Sequence, residues 1–215
     1  MPALYLKQLE LGPMQNFVYL VGSKESGEAA VVDPGWDVQR ILETAARDGM
    51  RITQVLITHT HFDHINGVEE LVAATDAQVL VHKKEAAALR LERTTVRAVE
   101  GGERIEVGSV ELSLLHTPGH TPGSTCFTVG DRLIAGDTLF VGGCGRCDLP
   151  GGDPEALHQS LSRLRRLDDR MVLCPGHHYA PEETSGMKEE KATNPFLCAE
   201  TLDQFLSLVG AVRKR

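Results

Sequence analysis

The chain has 215 residues and a formal net charge of −8, with 22 Lys and Arg against 30 Asp and Glu. That length suffices for one domain with its own core, and an acidic balance with no basic block excludes a surface built to neutralise nucleic-acid phosphates. No apolar run approaches the roughly 20 residues that a membrane helix needs. Residues 1–6 lack the basic stretch and apolar segment of an export signal, so a cytoplasmic location is expected. The cysteines, Cys126, Cys144, Cys147, Cys174 and Cys198, are odd in number and scattered, which is not a disulfide framework. Cys144 and Cys147 have C-x-x-C spacing without a second such pair, and are expected to be incidental thiols of a glycine-rich loop.

Residues 16–21 and 29–32 read as strands joined in a hairpin around Gly27, the second closed by Pro34-Gly35. Apolar residues at positions 38, 41, 42 and 45 give a helix face over 38–47, ended by Gly49. The run Ile52-Thr53-Gln54-Val55-Leu56-Ile57-Thr58 is β-branched and apolar, the pattern of a buried strand. His59-Thr60-His61-Phe62-Asp63-His64 follows at once and places four potential metal ligands within six residues. The loop leaves the carboxyl end of a strand, where open α/β sheets place their chemistry. Neutral imidazole and carboxylate suit zinc and first-row divalent ions. Alternate side chains of an extended His-x-His pair point the same way, so His59 and His61 can share one ion. Asp63 and His64 can then reach a second ion beside it.

A helix over 68–74, a strand over 77–82 and a short helix over 84–91 come next. His82 is expected as a polar edge residue of its strand. Segments 104–107 and 110–115 flank Gly108-Ser109 as a hairpin. The second half therefore opens with strands, as the first does, which suggests two similar halves, each a sheet with helices outside. His116-Thr117-Pro118-Gly119-His120-Thr121-Pro122-Gly123 forms a compact loop after a strand. His120, inside the turn, is its ligand candidate, and His116 is read as structural or as a support behind a ligand. Residues 125–129 are a strand, and the run 132–140 holds a buried strand ending in Gly136-Asp137. A buried aspartate needs a partner; beside two His-rich loops, Asp137 is expected to bridge two ions. Asp153-Pro154 starts a helix that runs to about Leu167. Residues 171–179 are the last strand and loop, with His177, directly after Pro175-Gly176, preferred to His178 as a ligand. Residues 194–212 read as one amphipathic helix with a basic end.

The candidates sum to His59, His61 and His120 for one ion, Asp63, His64 and His177 for the other, and Asp137 shared. Positions left for water mark a catalytic site rather than a closed structural one. Two divalent ions, zinc first and iron or manganese as alternatives, would turn a shared water into hydroxide near neutral pH, poised to attack a carbonyl. The same ions would stabilise the oxyanion that develops. Asp63 is the candidate catalytic carboxylate as well as a ligand. Gly-x-Ser-x-Gly is absent, which weakens the serine-hydrolase alternative.

Thr58-His59-Thr60-His61-Phe62-Asp63-His64, Thr117-Pro118-Gly119-His120-Thr121-Pro122-Gly123, Gly136-Asp137-Thr138-Leu139-Phe140 and Pro175-Gly176-His177-His178-Tyr179 together resemble the successive motifs of the metallo-β-lactamase superfamily. Gly143-Cys144-Gly145-Arg146 and Asn194-Pro195-Phe196 bring the likeness nearest to the glyoxalase II-like (hydroxyacylglutathione hydrolase-like) hydrolases. The resemblance implies an α/β fold, the αββα sandwich of two mixed sheets with helices outside and the metals at one edge. It implies a single domain over 1–215, with a catalytic core over about 1–180 and a short helical tail over about 181–215. It implies dinuclear hydrolysis of a small-molecule thioester, with a glutathione-linked one as the candidate, with no nucleic-acid or membrane partner and with monomer and homodimer both open. Asp137 stands where many true β-lactamases carry Cys, which argues against lactam hydrolysis. Arg146 and Tyr179 correspond to the family's glutathione-binding Lys and Tyr, and are the candidate substrate-binding residues, although Arg keeps the charge and not the geometry of Lys. Only 36 residues follow Tyr179, short of the helical domain of glyoxalase II, so thioester hydrolysis is expected and lactoylglutathione as substrate is not. The same motifs resemble persulfide dioxygenase, which would hold one Fe(II) through His59, His120 and Asp137.

Overall fold

Every strand of one sheet precedes every strand of the other in a computed structural model of the chain, which describes residues 3–89, 91 and 96–211. In the first sheet β1 (Leu4–Leu11), β2 (Asn16–Ser23) and β3 (Glu28–Val32) form an antiparallel meander. β4 (Arg51–Ile57), β5 (Gln78–His82) and β6 (Val96–Val99) extend it in parallel from β3. Parallel neighbours need crossovers; α1 (Val38–Arg47) supplies one, and α2 (Phe62–Ile65) with α3 (Val68–Thr75) supplies the next.

The second sheet repeats the scheme. β7 (Arg104–Val107), β8 (Val110–His116), β9 (Thr125–Val129) and β10 (Arg132–Gly136) are an antiparallel meander. β13 (Val172–Pro175) lies parallel to β10, and β14 (Ser185–Gly186) pairs antiparallel outside it. Between β10 and β13 run the small ribbon β11 (Leu139–Phe140) and β12 (Gly143–Cys144), and then α4 (Pro154–Leu164). α5 (Met187–Thr193), α6 (Pro195–Cys198) and α7 (Leu202–Val209) complete the chain.

Side-chain alternation decides the layers. On β2 every residue is buried, and successive side chains go to opposite faces. Val18 and Leu20 join Val31, Ile41, Val55 and Leu71 beneath the helices of the first half. Phe17, Tyr19 and Val21 join Leu56, Ile105, Leu112 and Phe127 between the two sheets. A third cluster, with Leu133, Leu157, Leu161, Leu173 and Phe205, lies beneath α4 and α7. Strands buried on both faces read as near-continuous apolar runs, which is why β2, β3 and β4 were legible. The result is helix, sheet, sheet, helix, as the motifs implied.

Several local expectations need correction. The helix expected over 84–91 is one 3₁₀ turn, Ala86–Ala88, because Leu89 turns extended to bury its side chain; residue 90 lies outside the described residues. The strand expected to end in Gly136-Asp137 does end at Gly136, whose φ of +48° turns the chain before Asp137. The tail is two helices rather than one, broken at extended Ala199. Thr201 restarts it through a capping box with Gln204, and Gly210 ends it at φ +67°; position 212 lies outside the described residues.

His82 is not at a sheet edge: β5 lies between β4 and β6. Its ring is buried and stacks on His116 of the facing sheet, with centroids 4.0 Å apart and planes 8° from parallel. Burial, with His116 and Lys84 nearby, pushes the His82 pKa down to about 4. Burial pushes His116 in the same direction. An unfolded histidine titrates near about 6.5, so the unfolded chain binds this proton more tightly than the folded one. The stacked pair therefore contributes in full above about pH 6.5, and its contribution is lost as the pH falls toward 4. Urea unfolding across that window should show stability declining with acidification, and His82→Phe should flatten the decline.

Candidate metal centre

All the candidate ligands emerge from one end of the two sheets. His59 and His61 leave the end of β4, and Asp63 and His64 lie in α2. His120 sits in the β8–β9 loop, Asp137 directly after β10, and His177 after β13. The sheets are tied at this end: the Thr125 N–H donates to the Thr58 carbonyl at 2.9 Å, and the Phe17 N–H donates to the Gly176 carbonyl at 2.8 Å. A Cβ on Gly136 would lie 2.5 Å from Thr58 Oγ1, so glycine serves both the left-handed backbone and the close approach.

The seven residues converge as two triads. His61 Nδ1 lies 3.1 Å from His59 Nε2 and 2.9 Å from His120 Nε2. His64 Nε2 lies 3.2 Å from His177 Nε2, and each is 3.4 Å from Asp63 Oδ2. Asp137 stands between the triads: Oδ1 is 3.4 Å from His64 Nε2, while Oδ2 is 3.6 Å from His120 Nε2 and 3.4 Å from His177 Nε2. His61 is half-buried and the other six are buried.

The outward nitrogens explain this orientation. His59 Nδ1 donates to Thr58 Oγ1 at 3.1 Å, His64 Nδ1 to Asp33 at 2.9 Å, His120 Nδ1 to the Arg146 carbonyl at 2.6 Å, and His177 Nδ1 to the Met14 carbonyl at 2.9 Å. An imidazole that spends its hydrogen outward turns a lone pair inward, the arrangement that fixes histidine as a metal ligand. Buried Asp137 Oδ1 has no hydrogen-bond partner, a costly state for a carboxylate oxygen unless a cation holds it. Donor type, lone-pair direction and orphaned oxygen all fit divalent ions.

Charge balance says the same. Burial and the neighbouring imidazoles push His59 and His61 down. Burial also works against protonation of His64, but Asp137, Asp33 and Asp63 outweigh it and hold its pKa up at about 9. Burial opposes the charge on Asp137 as well; His64, His177 and His59 outweigh it and keep the carboxyl well below the usual range. The carboxylates call for positive charge at this spot.

Two buried residues that sequence reasoning passed over complete the frame. Asp33 accepts from the Thr58 N–H at 2.7 Å, from Thr58 Oγ1 at 2.5 Å and from His64 Nδ1 at 2.9 Å. With those bonds made it orients ligands rather than acting as one. Its signal was visible: an aspartate closing an apolar strand, the logic already applied to Asp137. Asn16 Nδ2 donates to Asp63 Oδ2 at 2.9 Å, and Asn16 Oδ1 accepts from Trp36 Nε1 at 2.9 Å. An asparagine at a strand start carries no such signal.

Arg146 and Tyr179 lie at the margin. The Arg146 side chain is exposed and pairs with Asp148 through two bonds of 2.9 and 2.8 Å, while its carbonyl holds His120. Tyr179, 58% exposed, stacks on His177 at 4.5 Å and 12°. His178 turns away to Glu10 at 2.9 Å. Cys144 and Cys147 are free thiols. Burial pushes Cys144 up to about 12 and raises Cys147 as well, the opposite of a reactive pair.

A family model described as the metallo-β-lactamase superfamily matches residues 11–177. The chain belongs to that superfamily. A hydroxyacylglutathione hydrolase of Polaromonas sp. is 41% identical over 170 residues, which are 77% of this chain and 63% of that protein, so the chain spans less than two thirds of this relative. Among solved structures, ETHE1 from Myxococcus xanthus superposes with a TM-score of 0.88 at 30% identity, covering 98% of this chain and 92% of that one. TTHA1623 in a di-iron-bound form gives a TM-score of 0.76 at 35% identity, covering 88% of this chain and 99% of that one. The chain is thus an enzyme of the metallo-β-lactamase superfamily with clustered His and Asp side chains of metal-binding type. Among the described residues no helix is long and apolar enough to cross a membrane.

Asp33→Asn removes the charge that orients His64 while keeping the volume. It should weaken metal binding about 10- to 100-fold, the usual effect of losing an outer partner of a ligand. Competition against a chelator measures this, with circular dichroism as the control for folding.

Proposed function

We propose that the chain is a dinuclear metal-dependent hydrolase of a thioester, of the glyoxalase II type. His59, His61 and His120 would hold one ion, Asp63, His64 and His177 the other, and Asp137 would be shared between them. The observation that carries this reading is Asp137 itself, a buried carboxylate with one oxygen outside any hydrogen bond, between two complete triads. Two dications there, zinc first for imidazole and carboxylate donors, would activate a water and polarise the thioester carbonyl.

The protein supplies the rest. Asn16 holds one oxygen of Asp63, which leaves the other free to take a proton from a water if Asp63 is the catalytic carboxylate. Buried walls around the triads keep the electrostatic interactions strong. At the mouth, Arg146 offers a guanidinium to a carboxylate on the thiol part of the substrate, and Tyr179 an aromatic face and a hydroxyl. Similarity to the Polaromonas hydroxyacylglutathione hydrolase supports a glutathione-linked thioester as the small-molecule substrate. The proposed setting is the cytoplasm.

A second reading, the mononuclear iron persulfide dioxygenase, has support in the likeness to ETHE1 from Myxococcus xanthus. It would engage His59, His120 and Asp137 and leave the Asp63, His64 and His177 triad without a task. The di-iron form of TTHA1623 supports the two-ion reading.

Metal analysis of protein purified without added metal decides between them. Two ions per chain and thioester cleavage are expected; one iron, with oxygen consumed on glutathione persulfide, overturns the hydrolase. His61→Ala should lower kcat/KM for the thioester at least about 100-fold, since losing a ligand exceeds losing its outer partner.

A further inference from the structure

His61 is held differently from the other candidate ligand imidazoles. His59, His64, His120 and His177 each give their outward nitrogen to a fixed partner. Among the described residues, the His61 ring makes hydrogen bonds only to His59 and His120, and it is the least buried of the seven. Its position therefore depends on its backbone.

The residue before it, Thr60, donates its hydroxyl to Glu85 Oε2. Glu85 is 5% exposed and lies on the turn after β5. Its other oxygen accepts from the Gly123 N–H at 2.8 Å, in the loop that carries His120. A Cβ on Gly123 would fall 2.5 Å from Glu85 Cγ, so this approach requires glycine. The Glu85 backbone N–H donates to the His82 carbonyl at 2.8 Å, which anchors the turn to the end of β5. The bond from Thr125 to Thr58 joins the two loops at their base; Glu85 joins them farther out, beside the ligands.

We propose that Glu85 is a positioning residue, a strut between Thr60 and Gly123 that sets the separation of His61 from His120. Affinity for the ion of the His59, His61 and His120 triad then depends on Glu85, although Glu85 reaches no ligand side chain. This rests on reading that triad as a metal site. The demand on residue 85 is for length and two polar atoms, not for charge. Glutamine meets it: its oxygen accepts from Gly123, and its amide donates to Thr60 Oγ1, which can accept as well as donate. Aspartate keeps the charge but is one methylene too short to span both loops.

The test is chelator competition on zinc-loaded protein, with the visible spectrum of the cobalt-substituted form as a second readout. Glu85→Ala and Glu85→Asp should each weaken one ion at least about 10-fold, the same ion that His61→Ala removes, and should change its cobalt spectrum. The other ion should be retained. Glu85→Gln should bind both ions as the parent does. Thr60→Val should reproduce the loss and add little to Glu85→Ala, because the two act through one bond. Thermal unfolding of the metal-free variants reports on the fold, and should Glu85→Ala fail to fold, Glu85→Asp and Thr60→Val carry the test. Parent-like affinity in Glu85→Asp and Thr60→Val, or a loss in Glu85→Gln as large as in Glu85→Asp, overturns the strut. A parent protein that binds no ion overturns the metal centre itself, and the strut with it.

Discussion

Two strand ends and one helix meet at the carboxylate of Asp33. The residue closes β3, accepts both the backbone N–H and the hydroxyl of Thr58 at the end of β4, and accepts from His64 in α2. Thr58 in turn accepts from His59, and its carbonyl accepts from Thr125 of the opposite sheet. One buried charge thus aligns an imidazole of each triad and fixes the edge along which the sheets adjoin. A buried carboxylate is tolerated only when its lone pairs are used, and Asp33 uses them on elements whose placement the site needs. Its left-handed backbone, φ +53°, is a strain that aspartate accepts more readily than most residues and that the three bonds offset.

The parts of this arrangement that were legible share a physical cause. β2, β3 and β4 announce themselves because strands covered on both faces must be apolar throughout. The ligand loops announce themselves because chemistry at a strand end needs imidazole and carboxylate at short spacing, and glycine and proline to hold an irregular backbone. The Thr201 capping box and Gly210 are equally local, and reading them would have split the expected tail helix in two.

What stayed hidden depends on partners far along the chain. β1 alternates buried Leu9 and Leu11 with exposed Glu10, as an edge strand does, but its meaning as a strand comes from pairing with β2. His82 looks like a polar strand terminus until the second sheet brings His116 over it. Asn16, Glu85 and the carbonyls of Met14 and Arg146 serve the site through hydrogen bonds spanning 25 to 163 positions. No window of sequence shows such pairings. Residue type betrays the groups that would hold an ion, and only the folded chain betrays the groups that hold them in turn.

The division of the chain into two consecutive sheets has a mechanical consequence. Each triad draws two members from the first half and one from the second: His59 and His61 with His120, Asp63 and His64 with His177. Neither half can complete a coordination sphere alone. Any cation gripped by these side chains therefore acts as a rivet between the sheets, and its binding free energy becomes cohesion of the sandwich. The edge that gathers the candidate ligands is also the seam along which the two halves would part.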